Sequence, residues 1–137
     1  MSYIECTIGH IKMAKRKTKL SIRIPPYETP RNAWRSKILE IAKKANVTYL
    51  PSDKLQLKVR LYLDNEALSF HDIDNRLKDI MDALQDRIGG SKKGCVRKPI
   101  VPNDHQIFRA IIEKSSPSKQ SKGYGHLLIT KYNGKDT

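Results

Sequence analysis

Cysteine is scarce. Only Cys6 and Cys95 occur in 137 residues, and they form neither a CxxC pair nor a zinc-ligand pattern. A disulfide-stapled scaffold and a structural zinc site are thereby excluded, and two free thiols suit a reducing cytoplasm. The histidines, His10, His71, His105 and His126, are scattered, so no histidine-based metal site is expected. Aromatic residues make up 7% of the chain. No stacked aromatic motif for single strands is visible, which argues against an RNA-binding protein of ribosomal type. No apolar run is long enough to span a bilayer, and no helical stretch joins a basic face to a large apolar one, so a membrane is not an expected partner. A secretory leader is not seen at the N-terminus. Acidic residues are few: 14 Asp and Glu stand against 27 Lys and Arg, a formal net charge of +13. Such a surface attracts polyanions, and nucleic acid is the partner it points to.

What is present fits one domain. Leu20, Ile22 and Ile24 alternate with Ser21 and Arg23, the pattern of a half-buried strand that Pro25-Pro26 ends. Thr29-Pro30 reads as a helix start, with Thr29 capping and Pro30 in the first turn. Trp34, Ile38, Ile41, Ala42 and Ala45 then form an apolar stripe, which makes Trp34 a core residue rather than a stacking platform. Leu55, Leu57, Val59, Leu61 and Leu63 alternate without a break as a second strand. A second helix starts near Asp74, with the stripe Leu77, Ile80, Met81, Leu84 and Ile88, and Gly89-Gly90 as its stop. Asp79 and Asp86 read as solvated residues on it. Two more strands follow, over about 106–113 and 126–132, with a Ser-, Lys- and Gly-rich connection that suggests a hairpin. The expected fold class is α+β: a single small domain with a mixed sheet of about four strands and two main helices packed on it. Residues 1–17 form an N-terminal extension, 18–132 the domain and 133–137 a tail.

Chemistry concentrates between residues 72 and 106. If Asp72 and Asp74 are extended, their carboxylates share a face, and two acids so close repel unless a cation sits between them. Oxygen ligands suit magnesium (Mg2+) or manganese. Lys78, one helical turn past Asp74, can offset charge on a phosphate under attack. Asp104 approaches the pair if its strand runs beside the one ending at Leu63. Asn75, Asp82 and Gln106 are placed to orient these ligands. The loop carrying Lys92, Lys93, Arg97 and Lys98 is a candidate DNA contact. Simpler roles stay open: an Asp at a helix start is an ordinary cap, and Asp74 with Lys78 an ordinary surface pair.

Together, Asp72-x-Asp74-Asn75-x-x-Lys78-x-x-x-Asp82-Ala83-Leu84 and Asn103-Asp104-x-Gln106-Ile107 resemble the RusA family of Holliday junction resolvases. Pro25-Pro26 after the first strand is similar to that family's opening, and the resemblance spans roughly residues 18 to 132. It implies a homodimeric, magnesium-dependent endodeoxyribonuclease of bacteria or their phages that cuts four-way DNA in paired, symmetric steps. Asp72, Asp74 and Asp104 would be its metal-binding acids and Lys78 its catalytic lysine. Two departures stand out: Asn103 where the family often has an acid, and a longer, basic loop from Gly89 to Pro102. A basic DNA-binding protein that keeps the fold without cutting is the alternative.

Overall fold

The computed structural model describes residues 17–63, 72–87, 99–116 and 123–134. Strand β1 (Leu20–Ile24) buries Leu20 and Ile24 and exposes Ser21 and Arg23, as its alternation requires. Helix α1 (Arg31–Lys44) starts one residue later than the Thr-Pro pair suggests. Pro30 itself is the N-cap, and no side chain caps the helix. The Pro30 carbonyl accepts Ala33 N–H at 2.9 Å, so Thr29 is not needed there. The buried side of α1 is Trp34, Ile38, Leu39 and Ala42. Trp34 Nε1 donates to the Pro25 carbonyl at 2.9 Å, which satisfies the one polar group of this core side chain.

Strand β2 (Leu55–Tyr62) buries Leu55, Leu57, Val59 and Leu61. Helix α2 (Ile73–Leu84) buries Ile80, Ala83 and Leu84, with Leu77 and Met81 packed against the same core. It ends earlier than the glycines imply. Gln85 is the C-cap, and Asp86 turns the chain through a left-handed φ of 58°. The freed Leu84 carbonyl accepts from Ile100 N–H at 2.7 Å and Val101 N–H at 3.0 Å. Returning chain thus satisfies the helix end. Ile88, Gly89 and Gly90 lie outside the described residues.

A 3₁₀ turn (Asp104–Gln106) leads into β3 (Ile107–Ser115), and β4 (Gly125–Lys131) follows. The sheet order is β1-β4-β2-β3. Strand β3 runs parallel to β2, with Leu55 opposite Ile107 and Tyr62 opposite Ser115, so α2 is the crossover of a βαβ unit. Strand β4 is antiparallel to both β1 and β2. The expected hairpin between the last two strands therefore does not form. The physical reason lies in burial. Leu127 and Ile129 of β4 are essentially fully buried, whereas β3 is only partly covered and takes the sheet edge. Gly125 admits β4 to its slot, because a Cβ there would run into the Arg60 carbonyl oxygen.

Both helices share one core with the inner sheet face. Arg23, Lys58, Arg60 and His126 stand exposed on the outer face. The α+β mixed sheet with two helices is as the sequence patterns lead one to expect. Among the described residues no helix is long and apolar enough to cross a membrane.

Candidate metal and nucleic-acid site

Helix α2 and its N-cap carry four acids, Asp72, Asp74, Asp79 and Asp82, and the structure treats them in two ways. Asp79 and Asp82 are neutralised. Asp79 is completely buried, not solvated as its sequence neighbourhood suggests. Its Oδ1 accepts Arg35 Nε at 3.0 Å, Arg35 Nη2 at 2.7 Å and Arg31 Nε at 3.1 Å. Arg76 Nη2 lies 3.4 Å from its Oδ2. The hydrogen bond to Asp79, then its charge, holds the Arg31 guanidinium above its ordinary value. Asp82 Oδ2 is 3.4 Å from Arg35 Nη2, so it anchors α1 to α2. The signal for this cluster was legible: Arg76, Asp79 and Ala83 follow one helical face, and Arg31 and Arg35 are one turn apart on α1. Arg76 also lies over the Tyr27 ring at 4.0 Å from its centroid.

Asp72 and Asp74 are left open. Asp72 is the N-cap of α2, extended at φ −78° and ψ 132°, but its carboxylate makes no capping bond. Its only side-chain contact among the described residues is a long one, Asn75 Nδ2 to Oδ2 at 3.4 Å. Asp74 already lies within the helix, so the pair straddles a helix start and does not share a strand face. Both are exposed, as is Lys78 one turn on. Neither Asp74 nor Lys78 forms an ion pair or side-chain hydrogen bond with another described residue. The N-terminal end of a helix favours negative charge there. Two free carboxylates fit a magnesium ion, which is typically held by one or two carboxylates, several waters and substrate phosphates.

Asp104 is elsewhere. It sits in the 3₁₀ turn before β3, where Asn103 and Gln106 form a reciprocal capping box. Because β2 and β3 are parallel, the start of β3 lies at the start of β2, whereas α2 begins beyond the end of β2. Asp104 accordingly lines a small cleft with Met81, Leu84 and Gln85 at the far end of α2. Met81 is seven residues from Asp74, about 10 Å along a helix. Carboxylates that share one ion need metal–oxygen distances of roughly 2.0–2.6 Å, so Asp104 does not join the pair within one chain. Among the described residues no group of three His, Cys, Asp or Glu side chains forms a metal cage.

Gln106 also has a role that its sequence position hid. It is buried, accepts Asn103 N–H at 3.0 Å, and donates to the carbonyls of Leu50 at 2.8 Å and Asp53 at 2.9 Å. It locks the 51–54 turn to the start of β3. His105 is exposed, with Nε2 3.9 Å from Asp104 Oδ1. Lys92, Lys93, Arg97 and Lys98, together with His71 and both cysteines, lie outside the described residues. No protein-family model and no curated protein matches this chain.

Proposed function

We propose that this chain is the subunit of a homodimeric, magnesium-dependent endodeoxyribonuclease that resolves four-way DNA junctions. The observation that carries this reading is the division of acids on α2. On a chain of net charge +13, Asp79 and Asp82 are consumed by arginines, while Asp72 and Asp74 stand open beside Lys78. A protein that only bound DNA would gain nothing from exposed carboxylates facing phosphates, because they repel the ligand unless a cation neutralises them. The two motifs that resemble the RusA family give the same reading.

The chemistry is hydrolysis of a phosphodiester. Water adds to phosphorus as the bond to one sugar oxygen breaks. Asp72 and Asp74 would hold the divalent ion, which supplies polarisation of the phosphate and a more acidic water. The Lys78 ammonium offsets negative charge that grows on the phosphate oxygens. Asn75 steadies the Asp72 carboxylate.

A homodimer would give Asp104 a place in such a site. Among the described residues strand β3 is a sheet edge with no further strand beside it. A second copy paired antiparallel along it, centred on Ala110, would set its residue 104 opposite Ser116 of the first. That is the end of the sheet at which β2 leads towards Asp72. A two-fold dimer would then hold two equal sites for two equivalent strands.

The test is incision of a labelled four-way junction with and without magnesium by wild type, Asp74→Asn and Asp104→Asn. Paired magnesium-dependent cuts are expected from wild type and none from either variant, with junction binding retained. Mixing the two variants should restore cutting of one strand, because a dimer built this way contains one site with all its acids. Tight binding without cutting in any divalent metal would move the function to DNA binding alone.

A further inference from the structure

A cleft of about 280 Å³ opens between the 51–54 turn and residues 103–108, next to Asp104. Its mouth is aromatic and cationic. Phe108 is 54% exposed. The Tyr132 ring lies 5.5 Å away, tilted by 35°. Lys54 Nζ is 5.3 Å from the Phe108 centroid, and the Arg109 guanidinium is 5.5 Å from that of Tyr132. These four residues come from three separate segments, which is why no aromatic motif shows in the sequence.

The cleft is built before any ligand arrives. Gln106 ties its two walls together through its two hydrogen bonds to the Leu50 and Asp53 carbonyls. Tyr132 N–H donates to the Lys54 carbonyl at 2.8 Å, which fixes the two rims. The one acid in the turn wall is turned inward: Asp53 is 8% exposed, accepts Leu50 N–H at 2.9 Å and has Lys131 at 3.8 Å. Asn103 and His105 add polar groups that can meet a heterocycle's edge.

We infer that this cleft takes one unpaired DNA base, stacked on Phe108, with the neighbouring phosphates on Lys54 and Arg109. Exposed aromatic rings flanked by cations are the means by which proteins hold single-stranded nucleotides. A duplex hides its base faces, so the occupant is a base freed at a branch point. The inference rests on the nuclease reading and adds to it: a base held beside Asp104 fixes the register of the strand and selects nucleotides near the cut.

The test is binding, without divalent metal, of branched DNA carrying 2-aminopurine at the branch point. Wild-type protein should change the probe's fluorescence on binding. Phe108→Ala should abolish that change and weaken affinity about ten-fold, the scale of one stacked base, with the salt slope unaltered. Phe108→Tyr should retain both. Lys54→Gln should lower the salt slope by about one. Phe108 is exposed, so these variants should fold, which a thermal melt checks. Affinity within two-fold of wild type and an intact fluorescence change for Phe108→Ala would overturn the base-binding cleft while leaving the nuclease reading standing. No DNA binding by wild type would overturn both.

Discussion

Replacing Asp79 with Asn removes one negative charge from the point where three guanidiniums meet and leaves the side chain's shape almost unchanged. Arg31 is half exposed, with 49% of its side chain accessible, so water can replace most of what it loses. Arg35 and Arg76 cannot recover this way, because only 14% and 9% of their side chains reach solvent. Breaking a buried pair by removing one partner costs about 3–5 kcal/mol, since the other charge stays buried without compensation. With two well-buried arginines involved and a polar amide remaining, about 3–4 kcal/mol is the expected loss. A domain of this size holds roughly 5–15 kcal/mol in total. At about 3–5 °C per kcal/mol, the melting temperature should fall by roughly 10–20 °C. Thermal and urea unfolding followed by circular dichroism measure it. Because the cluster is buried, the loss should persist in about 1 M salt, where exposed pairs are screened. A loss below about 1 kcal/mol, or one that disappears at high salt, would show that the arginines are solvated and do not depend on Asp79.

Two other substitutions separate stability from chemistry. Gly125→Ala sets a methyl group against the Arg60 carbonyl, and about 2 kcal/mol or more should be lost as β4 is pushed from β2; an unshifted urea midpoint would mean that the strands separate at no cost. Lys78→Ala should slow junction cleavage by about 100-fold or more while binding changes little, because the exposed ammonium acts on charge that grows during reaction; equal losses in both would make Lys78 a phosphate contact only.

Strand and helix positions were legible because each carries an undisturbed period. Leu55 to Leu63 alternate, and Ile80, Ala83 and Leu84 recur at helical spacing on α2. Strand order was not, since a period reports which face is buried and nothing about the neighbour that covers it. The end of α2 was misplaced for a related reason: a pair of glycines is a strong local stop, but the carbonyl of Leu84 finds its partners in chain returning sixteen residues later. Of the candidate residues, Asp72, Asp74 and Lys78 are local to one helix start, so spacing alone placed them together. Asp104 was linked to them by assuming a strand neighbour. The neighbour is right, but parallel pairing sets Asp104 at the other end of α2. Asp79 reads as solvated from its own helix because Arg31 and Arg35, which bury it, lie 48 and 44 residues away in sequence.

The slot occupied by β4 has a consequence for how the protein comes into being. Among the described residues strand β1 is hydrogen-bonded in the sheet to β4 alone, and β4 is the last element among them. During synthesis β1, α1, β2, α2 and β3 all emerge before the strand that joins β1 to the rest. Until residues 125–131 leave the ribosome, the nascent chain holds a βαβ half and a strand with no neighbour, with the apolar faces of both awaiting closure. Closure of the sheet therefore waits for residues 125–131 and runs through contacts distant in sequence. A chain broken off before Gly125 would lose the strand that joins β1 to β2, and would expose the two edges it covers, which are prone to pair with another molecule.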